Sequence, residues 1–142
     1  MPWTVSLDGV PVAEFDGSNL ALQEVLDGLG AFAKVEADAR PGYDAIRPSR
    51  EAAEAARRAQ YAPDYRVTDE RWDRETAQML AWGAVEKRLE LRDESGALLA
   101  ADVIIHDETK TGTLQVVLGF MAPAAGVVAR IPPPPRAGGD FA

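Results

Sequence analysis

The 142-residue sequence predicts an α+β fold. The expected parts are an N-terminal β-hairpin, two or three helices, an antiparallel β-meander of three to four strands in the C-terminal half packed against those helices, and an extended Pro-rich tail. Three observations carry this. Asp8-Gly9 separates two short alternating runs, a hairpin signal, because Asp and Gly accept the positive φ of a tight primed turn. The region Asp38 to Gly83 reads as polar and helical, and residues 50–60 within it are rich in Ala, Glu and Arg, strong helix formers. From Val85 onward the apolar residues fall at period two. One domain over residues 1–131 and a tail over 132–142 are expected at this length.

The hairpin pairs Thr4–Leu7 with Val10–Phe15, and Pro11, which lacks a donor, suits a short or edge strand. Asp16-Gly17-Ser18 breaks the chain. Ser18 or Asn19 then caps an expected helix in which Leu22, Val25, Leu26 and Leu29 share a face, with Gly28 and Gly30 as its stop. Ala31–Ala37 alternates weakly, as a strand would. Pro41-Gly42 marks a turn. Ser49 and Glu51 suit a helix start, residues 50–60 form the helix, and Pro63 ends it. Thr68 caps the next helix, with Asp69 and Glu70 against its amino-terminal dipole. Trp72, Thr76, Met79, Leu80 and Gly83 form its expected apolar stripe. Trp72 and Trp82 lie ten residues apart, so their directions differ by about 80°. One is expected in the core, and the other is a candidate interface anchor.

Val85, Lys87, Leu89 and Leu91 alternate with Glu86, Arg88, Glu90 and Arg92, giving a first meander strand. Turns at residues 93–96 and 108–112 separate it from strands over Leu98–Asp107 and Leu114–Met121, and Val127–Ile131 reads as a short edge strand. Pro132, Pro133, Pro134 and Pro135 force a polyproline II path. The tail that follows is either unfolded or an arm that docks on a neighbour through those prolines and Phe141.

Composition removes several chemistries. Cysteine is absent, so disulfides, thiolate nucleophiles and Cys-containing metal sites are excluded. The single histidine excludes any site needing two imidazoles. A net charge of −8 repels nucleic acid and anionic lipid, so neither nucleic acid nor membrane is expected as a partner. Arg47, Arg50, Arg57 and Arg58 are the best basic patch, but Glu51 and Glu54 lie among them. The amino terminus lacks the basic start and apolar run of a secretory signal. The most apolar stretch, residues 113–130, is broken by Gly119, Pro123 and Gly126.

His106, followed by Asp107 and Glu108, is the one grouping with acid–base or metal-ligating potential. Neighbours on a strand point to opposite faces, so the three read as a solvated strand end. Glu86 and Glu90, on one strand face, would stand about 13 Å apart, too far for glycoside hydrolysis. No glycine-rich loop has a phosphate-binding context. The expectation is therefore a non-enzyme with no catalytic residue, no cofactor and no metal.

The segment Thr76–Leu91 resembles one in small baseplate wedge proteins of contractile phage tails, a family also called lysozyme-like, in which a helix ends in Glu-Pro-Arg and runs into a meander. Glu86 and Arg88 match the outer positions of that motif, and Lys87 stands where the family has proline. Thr113–Phe120 resembles the family's last long strand. Asp16–Leu22 is similar to the start of a related Mu-like wedge family, without that family's Trp- and Gly-rich segment. The resemblance spans about half the chain. It implies a structural subunit of a phage virion or contractile tail, made in the host cytoplasm, whose partners are other virion or tail proteins, with a second copy as a further candidate. The alternative is a small cytoplasmic regulatory or immunity-type binder. Under the resemblance Glu86 and Arg88 fix contacts with neighbouring subunits. From the residues alone, a Glu and an Arg two apart on a strand share one charged face. Trp82, Pro132–Pro135 and Phe141 complete the interaction candidates.

Overall fold

The computed structural model describes residues 2–26 and 30–121. Its strands are β1 (Trp3–Leu7), β2 (Val10–Phe15), β3 (Ala21–Leu26), β4 (Gly30–Ala39), β5 (Leu89–Arg92), β6 (Leu98–Leu99), β7 (Ala101–Lys110) and β8 (Thr113–Met121). Two helices, α1 (Arg47–Tyr61) and α2 (Asp69–Glu86), lie between β4 and β5. The strands form a single antiparallel sheet in the order β6-β5-β1-β2-β4-β8-β7, with β3 also pairing β4. Only Ala100 separates β6 at one end of that order from β7 at the other. The sheet therefore curls into a half-barrel.

This corrects the expected fold class. The molecule is β-dominated, with eight strands among the described residues and not a three- to four-stranded C-terminal meander beside a separate hairpin. The N-terminal strands are part of the same sheet, because β1 pairs β5 and β4 pairs β8 along its length. Such pairings join residues far apart in sequence, and no local pattern announces them.

The hairpin turn forms as its residues dictate. Asp8 and Gly9 take φ of 51° and 83° between β1 and β2. The helix expected after Asn19 is a strand instead. The Asp16 carboxylate accepts the backbone and hydroxyl donors of Ser18, but that cap opens only a single 3₁₀ turn over Gly17–Asn19. Leu22 then faces inward while Ala21 and Gln23 face out, the period of a strand. The half-open edge of β4 takes up this segment, with Ala21 opposite Lys34 and Leu22 opposite Ala33. Tertiary pairing thus overrides a short helical spacing. Leu29 and Gly28 of that expected helix, the Val127–Ile131 strand and the whole Pro-rich tail lie outside the described residues.

Inside the half-barrel, small residues of β4 face large residues of β8. Ala31, Ala33, Val35 and Ala37 lie opposite Phe120, Leu118, Val116 and Leu114. On the other side of β8, Val103 and Ile105 of β7 face Leu118 and Val116. All these side chains are buried. Pairing small with large lets a strongly curved sheet fill its own interior. A 3₁₀ turn over Pro41–Ala45 follows β4 and seats Tyr43, fully buried, against β2.

Arg47–Tyr61 is helical because it is rich in Ala, Glu and Arg, and Ala53 and Ala56 supply its buried face. Thr68 caps α2 by accepting from the Arg71 amide at 3.2 Å. Two further corrections concern α2. It runs on to Glu86, so Val85 and Lys87 do not open a meander strand. The Lys87 amide closes the last turn on the Gly83 carbonyl. The buried stripe passes through Glu75, Met79 and Trp82, whereas Trp72 and Leu80 of the expected stripe are exposed. Burial of the large Trp82 indole decides which face turns inward.

Candidate functional site

The helix pair stands beside the long strand β7. Among the described residues β7 pairs only with β8, and β5 packs close to it without a ladder, since β6, which pairs β5, runs into β7 through Ala100. The pairing is regular from Ala101 to Ile105 and slips on either side of Asp107. Such irregularities blunt an edge beyond that point and leave the first half straight.

The second half of β7 is tied to α1. Arg47 Nε stands 3.3 Å from Glu108 Oε1, and Arg50 Nη2 lies 3.9 Å from the same oxygen. The Arg47–Glu108 pair lies off hydrogen-bonding geometry, so its attraction is Coulombic. Arg50 is buried and donates from Nε to the Tyr43 hydroxyl, while the Arg47 guanidinium lies 5.0 Å from the Tyr43 ring centre. Burial pushes the Tyr43 phenol up to about 12, against the opposing pull of Arg50 and with help from Glu108.

The middle of β7, Ile104 to His106, faces a cleft of ≈ 210 Å³. One wall is α1, with Arg50, Ala53, Glu54 and Arg57; the opposite wall is α2, with Met79, Trp82 and Glu86. Ile104, Ile105 and His106 complete the lining from the strand. Pockets for drug-sized molecules run from about 300 Å³ upward, so this one suits a single long side chain better than a metabolite.

Most charges of the cleft are already matched. Glu54 holds Arg58 at 3.4 Å and Arg57 at 3.9 Å, and Arg50 is engaged with Tyr43 and Glu108. With Arg47 also paired to Asp44 and Glu108, every member of the expected basic patch has an acidic neighbour. Glu86 differs. Burial alone raises its carboxyl above the usual Glu range, and no ion pair or hydrogen bond to its side chain is formed among the described residues. It also sits in the last turn of α2, a turn without a basic residue, where the helix dipole presents its negative end. Both circumstances disfavour a carboxylate and favour an arriving cation.

The interaction candidates separate in space. Glu86 and Arg88 do not share a strand face, because Glu86 is helical and Arg88 precedes β5. Glu86 lines the cleft, whereas Arg88 is exposed and meets Asp8 in the β1–β2 turn at 3.4 Å. Trp82 is 7% exposed and forms part of the cleft wall from within the core. Pro132, Pro133, Pro134, Pro135 and Phe141 lie outside the described residues. His106 lines the cleft, while Glu108 is drawn to the arginines of α1. Arg50, Tyr43 and Glu108 were not foreseen as one group, since only the fold brings residues of a 3₁₀ turn, a helix and a distant strand together. The alternation of Ala53 and Ala56 with Arg50 and Arg57 was the available hint of a helix with a small, charged-rimmed face.

No helix among the described residues is long and apolar enough to cross a membrane. In comparison with known proteins, no family model matches the chain, and neither a curated protein nor a solved structure matches it.

Proposed function

We propose that this chain is a contact-forming structural subunit, of the virion or contractile-tail kind that its helix-to-strand junction resembles, acting through protein–protein contacts. The observation that supports it is the stretch of β7 about Ile104–His106, which borders an open cleft beside α1 and α2 and, among the described residues, pairs with β8 alone. A strand edge without a ladder partner is an association hazard that monomeric proteins normally cover, and it can serve as a template for another chain. Exposed Ile104 on β7 and Phe32 on the same outer face of β4 widen that contact surface.

The test is affinity capture with the tagged full-length chain in its native cell, followed by identification of stoichiometric partners and imaging of any particle formed. Sheath, tube or baseplate proteins in the complex support the reading. A chain that stays monomeric and captures no such protein overturns it, and a single soluble cytoplasmic partner favours a regulatory binder.

A further inference from the structure

The tip of the helix pair carries exposed aromatic rings, and the chain carries its own proline run. We propose that Pro132–Pro135 dock in the same molecule on the tip of the helix pair, with Trp72 and Tyr61 as the rings that receive them. The inference does not depend on the contact-subunit reading.

The receiving surface is built before anything lands on it. Tyr61 ends α1 and is 84% exposed, while Trp72, in the first turn of α2, is 45% exposed. Tyr65, in the loop between them, is the fixed member. Its hydroxyl donates to the buried Glu75 at 2.5 Å, the Arg71 guanidinium lies 4.2 Å from its ring centre, and Trp72 meets it edge-on at 6.5 Å. Gln60 reaches Thr76 at 3.4 Å and brings the end of α1 beside α2. Held rings lower the ordering cost of binding. Rigid aromatic surfaces are what a polyproline II segment packs against, because its prolines are already ordered.

Chemistry and position both select the chain's own tail. Four consecutive prolines are followed directly by Arg136. Around the rings the exposed acids Asp64, Asp69, Glu70 and Asp73 outnumber the exposed Arg66 and Arg74, so a cation beside the prolines is attracted. Helix α1 starts beside Glu108, and Arg57 lines the cleft with Ile104, so the helix travels toward the Ala101 end of β7. Strand β8 finishes at that same end, with Phe120 opposite Ala101 and Met121 next. The ten residues 122–131 then precede Pro132. Extended, such a tether reaches up to about 33–36 Å, against about 22 Å for the whole of α1. A short tether keeps its cargo at an effective concentration on the order of mM, so even a weak contact is filled.

The test uses the full-length chain with 5-fluorotryptophan at its three tryptophans, the Trp72 signal being assigned through Trp72→Phe. Cysteine is absent, so Ala137→Cys carries a single nitroxide. The nitroxide should erase the Trp72 fluorine signal and leave that of Trp82, to the same extent at every dilution. Replacement of Pro132–Pro135 by glycines in the labelled chain should restore the Trp72 signal. A Trp72 signal that persists, or one lost no more than that of Trp82, overturns the inference, as does a loss that survives the glycine replacement. So does a loss seen when the nitroxide sits on a second, fluorine-free chain mixed with the fluorinated one, because the occupant is then the tail of another copy.

Discussion

Tyr43 and Glu86 show how single side chains carry electrostatic information. Burial raises the phenol of Tyr43 to about 12 from an ordinary value near 10. The folded state then keeps a proton that the unfolded chain gives up. That contribution to stability is fully present below about pH 10 and is lost as the pH climbs through about 12. Urea midpoints measured from pH 8 to 12 should fall more steeply for the wild type than for Tyr43→Phe. Parallel curves would show that the hydroxyl is not held as described. Glu86 obeys the same sign rule in a lower range. Its raised carboxyl gives stability below the usual Glu range, lost as the pH rises through its folded value. At neutral pH the charged group is therefore a burden, and Glu86→Gln should be as stable as the wild type or more so. The gap should close as the pH falls into the acid range. His106, Glu54, Arg50 and Arg57 face the same space, so the comparison is made at constant pH between the two proteins. A Glu86→Gln variant that loses stability at pH 7 would show that the carboxylate has a partner.

At the scale of elements, the clearest device is the facing of small against large across β4 and β8. Ala33 is fully buried opposite Leu118, also fully buried. Leu118→Ala should cost about 2–5 kcal/mol, and Ala33→Leu about 1–3 kcal/mol from overpacking. The double variant should cost less than the two costs added, since one change vacates what the other fills. Additive losses in denaturant titrations would mean that the two side chains do not share space. Local chemistry was readable in the elements that depend on it. The Asp8-Gly9 turn, the Thr68 cap, the Pro63 stop and the alternation of β8 follow from neighbouring residues. The segment after Asn19 was not readable, because four apolar residues at helical spacing cannot announce that a strand edge waits at Ala33 and Lys34. The extension of α2 to Glu86 was hidden for a related reason. Residues 85–92 alternate as a strand would, and only the burial of Trp82 and the Gly83–Lys87 bond keep the first two of them helical. The cleft was the least legible part, since its lining comes from three elements that no sequence motif links.

At the scale of the whole molecule, the sheet binds the two halves of the sequence into one body. Strands from residues 3–39 occupy the middle of the order, strands from residues 89–121 flank them on both sides, and the helix pair leans on β7, the last strand of that order. Neither half retains its partners without the other. Far-UV circular dichroism and tryptophan fluorescence should therefore report one coincident urea transition. Two separated transitions would show that the hairpin strands and the C-terminal strands are independent units.

The longest of these pairings has a consequence for how the chain comes into being. Ala33 waits for Leu118, which is 118 − 33 = 85 positions later. A nascent polypeptide leaves the ribosome from its amino end, so β4 emerges with one flank bare and stays so until β8 has been made. Closure is thereby deferred until β8 has been made and should be slow, as for other architectures dominated by remote pairing. A chaperone that shields this Ala-rich flank would act during that interval, before β8 is free to claim it.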